Sequence, residues 1–467
     1  MPISTESLNP LRTVVHDTHQ YAYDAAESSP RRKVVSDSLQ SEDAALPTHK
    51  RRQVVLDSRD LQQNFSIAAW ALRRHLDYVA TFSFQSRTGE TALDERIEDL
   101  VRWWSRPHNC DVAGRHGLHR FMRLAEARRI VDGDVFVLKL GGANPRDTNR
   151  GRLQAIEGDR VRNPWGSIGG VNLSDFEHGV RTSNAGRALS YIICKRGQYG
   201  SGFVLDRVVS ARNVLAHGCY TRFDQTRGIS PFVTALRTYR DIYEAIEYAL
   251  AKAKVSQLFG YTIHSQSEIP TGVVTETADS EYEIDLGHGP WSLNMGPDDK
   301  VDLHESKMPA TEFQDFMRQT TMAALKAVDI PYSFYDEAHT NYSGSRQALL
   351  QYEQSAAEKR CDVQELLDQL YGWRVGLWVR DGVLELPGKM LARDLKWEWI
   401  PAGLPWLDPL KEVKADGEAI DRRLSSRTRI LRRQGLDFRD VVDELASEEA
   451  YIAEKLGAQT ITDGGDK

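Results

Sequence analysis

Apolar side chains recur at helical spacing along residues 58–84, through Leu61, Phe65, Ala68, Ala69, Leu72, Leu76 and Val79. The same period predicts helices over 91–104 and 118–131. The texture then changes. Segments 135–140, 153–156, 179–182, 190–195 and 208–217 are short and rich in β-branched and apolar residues, and Gly, Asn, Asp and Pro turns divide them, so they predict strands. Residues 60–225 therefore read as a mixed α+β region.

Ser230-Pro231 predicts the start of a long helix reaching Phe259-Gly260. A serine hydroxyl caps free backbone N–H groups, and a proline loses nothing at the first helical position. The apolar positions from Phe232 to Leu258 keep helical spacing over roughly 45 Å, a strut and not a core filler. Residues 261–309 break that pattern with Gly287, Gly289, Pro290, Gly296 and Pro297. A second helix follows over 311–328, with Phe313, Phe316, Met317, Thr320 and Ala324 on one face, and Pro331 stops it. The polar loop Asp336 to Gly344 leads into a third helix over 345–370. A Trp- and Pro-rich segment (Trp397, Trp399, Pro401, Pro405, Trp406, Pro409) and helices over 411–433 and 437–456 complete the chain.

Residues 1–56 are polar and carry a 20-residue echo. Arg12-Thr13-Val14-Val15-His16-Asp17 recurs as Arg32-Lys33-Val34-Val35-Ser36-Asp37 and as Arg52-Gln53-Val54-Val55-Leu56-Asp57. This arm reads as disordered or partner-binding, its Val-Val cores suited to adding a short strand to a sheet edge, or as a local duplication without function.

Composition sets outer bounds. The 467 residues are 40% hydrophobic and 27% charged, enough for real cores and for two to four folded regions. No run approaches the roughly 18 apolar residues of a membrane helix, and the first residues lack a signal-peptide pattern, so the chain reads as intracellular with no membrane partner. Cys110, Cys194, Cys219 and Cys361 are scattered, which predicts free thiols. A net charge of −7 argues against gripping nucleic acid over the whole surface but not against letting DNA pass.

Catalytic motifs are missing from the sequence. It contains no G-x-x-x-x-G-K-[ST] loop, no H-E-x-x-H and no G-x-S-x-G. His108, Cys110, His116 and His119 gather metal-ligand chemistry, but their spacing is not one that common zinc modules use, and a polar loop before a helix is the simpler reading. Glu157 and Asp159 suit a metal-dependent nuclease on paper, although two carboxylates in a turn are more often turn formers. No cofactor and no metal are expected.

The order of segments resembles the lambda-type phage portal proteins. Ser58-Arg59-Asp60-Leu61 with Asn64, then Trp103, Trp104, Phe121, Gly133 and Asp134, follow that family's order. So do residues 153–161, Gly179-Val180 and residues 186–191. The most specific stretch is Val214-Leu215-Ala216-His217 through Arg222, Gln225 and Arg227-Gly228-Ile229-Ser230-Pro231. Asn341-Tyr342-Ser343-Gly344-Ser345-Arg346 is similar to a later family segment, with Gly344 in place of a second serine, and Pro401, Asp408-Pro409 and Ala415 fit its C-terminal stretch. The resemblance covers about residues 57–450 and leaves 1–56 without an assigned role.

It implies a portal-like ring oligomer, usually a dodecamer, at one capsid vertex of the virion, assembled in the host cytoplasm. Residues 57–228 would form an α/β wing, 229–260 and 310–330 the two stem helices, and 261–309 a small clip. Residues 331–345 would be a tunnel loop, 346–370 a long helix connecting wing and crown, and 371–467 a helical crown and C-terminal segment. Its partners would be double-stranded DNA, the terminase large subunit, the major capsid protein or scaffold, and a neck or tail adaptor. Channel-facing candidates are Arg240, Lys252, Lys254 and Arg318 on the stem, and His339, Thr340, Asn341, Tyr342 and Ser343 in the loop. Each stem cation reads equally well as part of a solvated face with i,i+4 pairs such as Arg240–Glu244. The competing classes are a metal-dependent DNA-processing enzyme and a minor capsid or scaffold protein without a channel.

Overall fold

A computed structural model describes residues 39–142, 144, 147–164, 172–197, 202–257, 261–264, 300–303, 311–336, 342–403 and 408–462. The chain enters through α1 (Glu42–Ala45), α2 (Thr48–Asn64) and α3 (Ser66–Val79), then β1 (Phe82–Ser86), α4 (Thr91–Trp104), α5 (Pro107–Cys110) and α6 (Leu118–Asp132). The third Arg-x-Val-Val repeat therefore lies inside α2 as helix, not as a strand, and residues 42–45 and 48–56 have regular structure. The first and second repeats lie outside the described residues. The helix read over 58–84 is two helices and a strand. Phe65 is extended between α2 and α3, with its ring packed 4.8 Å from that of Tyr243.

Two three-stranded antiparallel sheets follow. β2 (Asp134–Leu140) is central, flanked by β3 (Arg152–Glu157) and β7 (Val214–Gly218); β5 (Ala188–Arg196) is central between β4 (Val180–Thr182) and β6 (Phe203–Ser210). The segment read as one strand over 208–217 is thus two strands in different sheets, parted by a 3-10 turn at Ala211–Asn213. The sheets share a small core of Phe136, Leu138, Ile156, Val161, Tyr191 and Ile193.

The helix predicted from Ser230 begins with a 3-10 turn, Pro231–Thr234, and only then continues as α7 (Leu236–Gln257). Ser230 does cap: its Oγ accepts from Phe232 N at 3.2 Å and donates to Ile130 O at 2.6 Å. Ala235 leaves helical geometry, so the regular strut of 22 residues spans about 33 Å, shorter than the sequence predicts. Beyond it, β8 (Tyr261–His264) pairs antiparallel with β9 (Lys300–Leu303), and α8 (Thr311–Leu325) returns. A 3-10 turn carries α8 to Val328, as the sequence reading has it, and Asp329 closes it in the left-handed region.

The third long helix, α9 (Tyr342–Arg380), runs 39 residues. It starts inside the segment assigned to the loop and ends ten residues beyond the predicted stop. Its length is explained by what it crosses. Leu366, Leu367, Leu370, Tyr371, Val375 and Trp378 are buried in one large core with Leu72, Leu76, Ile97, Trp104, Phe121 and Ile130 from α3, α4 and α6. The Trp-rich segment is β10 (Trp397–Pro401), antiparallel to β1, with Trp399 wedged against Phe84 and Tyr371. Residues 371–401 thus pack into the same core as α3, α4 and α6. The helix read over 411–433 is α10 (Pro409–Asp421) and α11 (Arg427–Arg433), broken where Arg423 takes a φ of 56°. α12 (Phe438–Thr462) ends the described chain.

At the junction of sheet and stem, two glycines touch backbone to backbone. A Cβ on Gly228 would lie 2.1 Å from Gly133 O, and one on Gly133, at φ 94°, would lie 2.6 Å from Gly228 O. Cys219 N donates to Gly133 O at 2.9 Å, and Ile229 N to Cys219 O at 3.0 Å, through the same contact. Gly228→Ala is expected to cost at least about 2 kcal/mol of stability, because backbone has to move. Chemical denaturation reads this directly, and an unchanged midpoint would refute the close approach.

Candidate channel surface and its buried anchors

The entry to α7 is held by one arginine. Arg227 is 3% exposed, and all five of its N–H donors are used. Nε and one NH2 hydrogen meet the two oxygens of buried Asp134 at 2.6 and 2.8 Å. The others reach Val161 O at 2.5 Å, His178 O at 2.8 Å and Gly158 O at 2.7 Å. Gly228 N donates to the same Asp134 at 3.0 Å. One side chain therefore ties the start of β2, the end of β3 and the loop before β4 to the entry of the stem.

A second buried knot lies beneath. Glu126 of α6, fully buried, accepts from His75 Nε2 of α3 at 2.7 Å, His217 Nε2 of β7 at 2.9 Å and Arg129 Nε at 2.7 Å. Arg129 also reaches Asp362 of α9 at 2.9 Å. Burial opposes the charge of Glu126, yet Arg129 and the two histidines hold it well below the usual carboxylate range. Burial pushes His75 down despite Glu126, and its Nδ1 has no partner, as suits a neutral ring donating through Nε2.

The struts themselves are thinly covered. α7 packs against α8, and beyond Tyr243 its half-buried positions are Ala245, Ala249 and Ala253, four residues apart. On α8 the corresponding half-buried or buried face is Phe313, Met317, Thr320, Thr321 and Ala324. A seam of methyl groups lets two helices approach closely, and it turns larger side chains outward. Tyr243, Ile246, Tyr248 and Leu250 on α7, with Phe316 and Met322 on α8, are all exposed. The return end is fixed to α9 by Asp329, which meets Lys359 Nζ at 2.8 Å and Ser355 Oγ at 2.9 Å.

Four of the nine channel candidates have described side chains. Lys252 and Lys254 are exposed on α7 and form no ion pair with a described residue. Arg240 is tied to Asp57 of α2 at 2.7 Å, so it joins α7 to α2 and does not make the helical pair with Glu244. Arg318 lies over the Tyr332 ring at 5.4 Å. His339, Thr340 and Asn341 lie outside the described residues; Tyr342 and Ser343 form the first turn of α9, their side chains outside the description. Cys110 is buried, its thiol pushed up to about 12 chiefly by burial, and among the described residues no cluster of His, Cys, Asp and Glu is arranged to hold a metal. Glu157 and Asp159 are bound by Arg59 and Arg196, with Arg59 at 3.3 and 3.1 Å. Among the described residues no helix is long and apolar enough to cross a membrane.

The profile of the phage portal proteins of the lambda family matches residues 29–360. The chain belongs to that family. A probable portal protein of Halomonas phage phiHAP-1 is 25% identical over 392 residues, covering 77% of this chain and 71% of that protein. Among solved structures the chain is similar to one in the virion of the native gene transfer agent particle, with a TM-score of 0.46 at 13% identity over 81% of this chain and 93% of that one. It is also similar to one in the neck of the empty particle, with a TM-score of 0.48 at 14% identity over 82% and 94%.

Membership gives the buried anchors their context. Arg227, Gly228 and Ser230 belong to the stretch whose resemblance to portal proteins is most specific, and each makes a buried contact at the entry to α7. Glu126 and His75 went unnoticed in the sequence, where a lone carboxylate and a lone histidine on helical faces carry no signal.

Arg227→Ala should lower unfolding free energy by about 3–5 kcal/mol, since it leaves Asp134 buried and unpaired. In the second knot both His75 and Glu126 have folded pKa values depressed below their unfolded ones. Their stabilisation is complete above about pH 6.5 and is lost as pH falls, first through the histidine and then below the carboxylate range. Denaturation midpoints should therefore drop between pH 7 and 5, and His75→Gln, which retains a donor to Glu126, should flatten that slope. An equal slope in both proteins would contradict the assignment.

Proposed function

We propose that copies of this chain close into a ring, usually of twelve, at a single capsid vertex, and that double-stranded DNA passes through its centre during packaging and ejection. The observation that carries this is the face left by the alanine seam. Tyr243, Ile246 and Leu250 along one flank of α7, with Phe316 and Met322 on α8, leave apolar surface that one chain covers only in part. Apolar surface on a projecting helix pair favours association, and a neighbouring copy offers the same two helices in the same orientation. Family membership supports the same reading.

In this reading the seal is lateral and apolar, while Lys252, Lys254, Arg318 and Arg240 lie towards the bore with Asp241, Glu244 and Glu247 between them. Sparse cations on an acidic chain touch phosphates without holding them, because each added contact steepens salt-dependent binding. The loop before α9, from His339 to Ser343, is short-chained or polar and suits the same light contact. Residues 261–309 would face the terminase large subunit and later the neck or tail adaptor, and the wing would meet the major capsid protein or scaffold. The particle assembles in the host cytoplasm and the ring stays in the virion. The ring is passive and the terminase supplies ATP energy. Arginine capture of Glu157 and Asp159 favours this over a nuclease.

Negative-stain images of purified full-length protein should show rings with a central hole. Ile246→Glu with Leu250→Glu, both exposed and on one flank of α7, should leave the chain folded but shift it to monomer by at least about tenfold in association constant. A strictly monomeric native protein at high concentration would overturn the proposal.

A further inference from the structure

A cavity of about 180 Å³ lies where the start of α2 meets the ends of the two sheets. Its walls carry five arginines, Arg51, Arg52, Arg59, Arg162 and Arg227, against two carboxylates, Asp132 and Asp159. Two of the five are already compensated. Arg59 is bound to Asp132 at 2.7 Å and Asp159 at 3.1 Å, and Arg227 to Asp134 at 2.6 Å. The remaining three form no ion pair with a described residue. Arg51 donates to Gly228 O at 2.7 Å and weakly to Arg227 O, both neutral carbonyls. Arg162 rests over the Phe203 ring at 4.4 Å. Arg52 is exposed at the rim.

Two further observations point to a missing acceptor. The Nε atoms of Arg51 and Arg162 are both buried without a hydrogen-bond partner. Such an atom is costly to bury unless something pairs with it. Burial also pushes Arg51 down to about 10, with Arg227 adding to the effect, and pushes Arg162 down with Arg52 contributing. The second observation is the 17-residue α2 itself. Its N-cap is Pro47, which offers no side-chain acceptor, and its first residue, Thr48, lines the cavity. The positive end of a helix dipole and its free N–H groups thus add to three uncompensated guanidiniums. Guanidinium forks match a tetrahedral oxyanion in shape and charge.

We propose that this cavity binds a phosphate-class oxyanion through Arg51, Arg52, Arg162 and the first turn of α2. The bound anion would pin α2 to the two sheets beside the Arg227 knot. The inference does not rest on ring assembly or on passage of DNA, since the site is complete within one chain. A free phosphate ion and a phosphate of a nucleic-acid backbone present the same chemistry.

The test uses the full chain and inorganic phosphate. Equilibrium dialysis with labelled phosphate in chloride buffer of constant ionic strength should show saturable binding of about one ion per chain, with a thermal midpoint that rises as the site fills. Arg162→Gln should weaken binding at least about tenfold. Arg52→Gln, at an exposed position, should also weaken it without disturbing the fold, while Arg102→Gln on α4 should leave it unchanged. A short DNA duplex is then added as competitor. Displacement of phosphate identifies a nucleic-acid source, and no displacement identifies the free ion; either supports the shared chemistry. If neither phosphate nor duplex binds in a manner that depends on Arg162 or Arg52, the site does not exist.

Discussion

A guanidinium buried to 3% exposure with five donors and five acceptors is the constraint on which the arrangement of this portal-family chain depends. Desolvating both Arg227 and Asp134 costs several kcal/mol per ion, so the pair is tolerable only because every hydrogen finds an oxygen. That requirement fixes geometry. Val161, His178 and Gly158 must each present a carbonyl at one point, and Asp134 must begin β2 there. Gly228 follows because the backbone after Arg227 has to pass against Gly133 with no room for a Cβ. The direction of the stem is thereby set before its first helical turn.

The lower knot plays the complementary part. Glu126 draws His75, His217 and Arg129 to one buried point, and Arg129 extends it to Asp362. Helices α3, α6 and α9 and strand β7 are thus related by direction as well as by apolar contact, which alone would leave their rotation weakly specified. Both knots lie towards the C-terminal end of α6, Glu126 and Arg129 within its last turns and Asp134 just beyond it, so that one helix end relates the sheets to the long helix α9.

Much of this was legible in the sequence where apolar period and punctuation agreed. Thr91–Trp104 is a helix over its predicted span, and the five strand segments all fall on strands, because alternation and turn residues act locally. The failures have a common physical cause, namely tertiary contacts that override local pattern. Phe65 leaves the helix to stack on Tyr243, and the third Val-Val repeat is helical because α2 packs on α3 and α6. The Trp-rich stretch has no strand alternation to read, yet Trp397 and Trp399 donate to Asp368 and close a strand pair with β1. Among the candidate channel residues, Lys252 and Lys254 have the exposure that the helical period implies, whereas the tie of Arg240 to Asp57 joins residues 183 apart and leaves no mark in local sequence.

The antiparallel pairing of β1 with β10 joins Phe82 to Pro401 across more than three hundred residues of chain. Everything between those partners is therefore a loop in the topological sense, anchored at both ends to one body. The outward hairpin of α7 and α8 is a sub-loop within it, held at its two feet by Gly228 and Asp329. Lengthening or shortening such an excursion by whole helical turns leaves both feet in place. The geometry thus separates two freedoms: the body keeps the contacts that fold it, while the hairpin can change its reach without disturbing them.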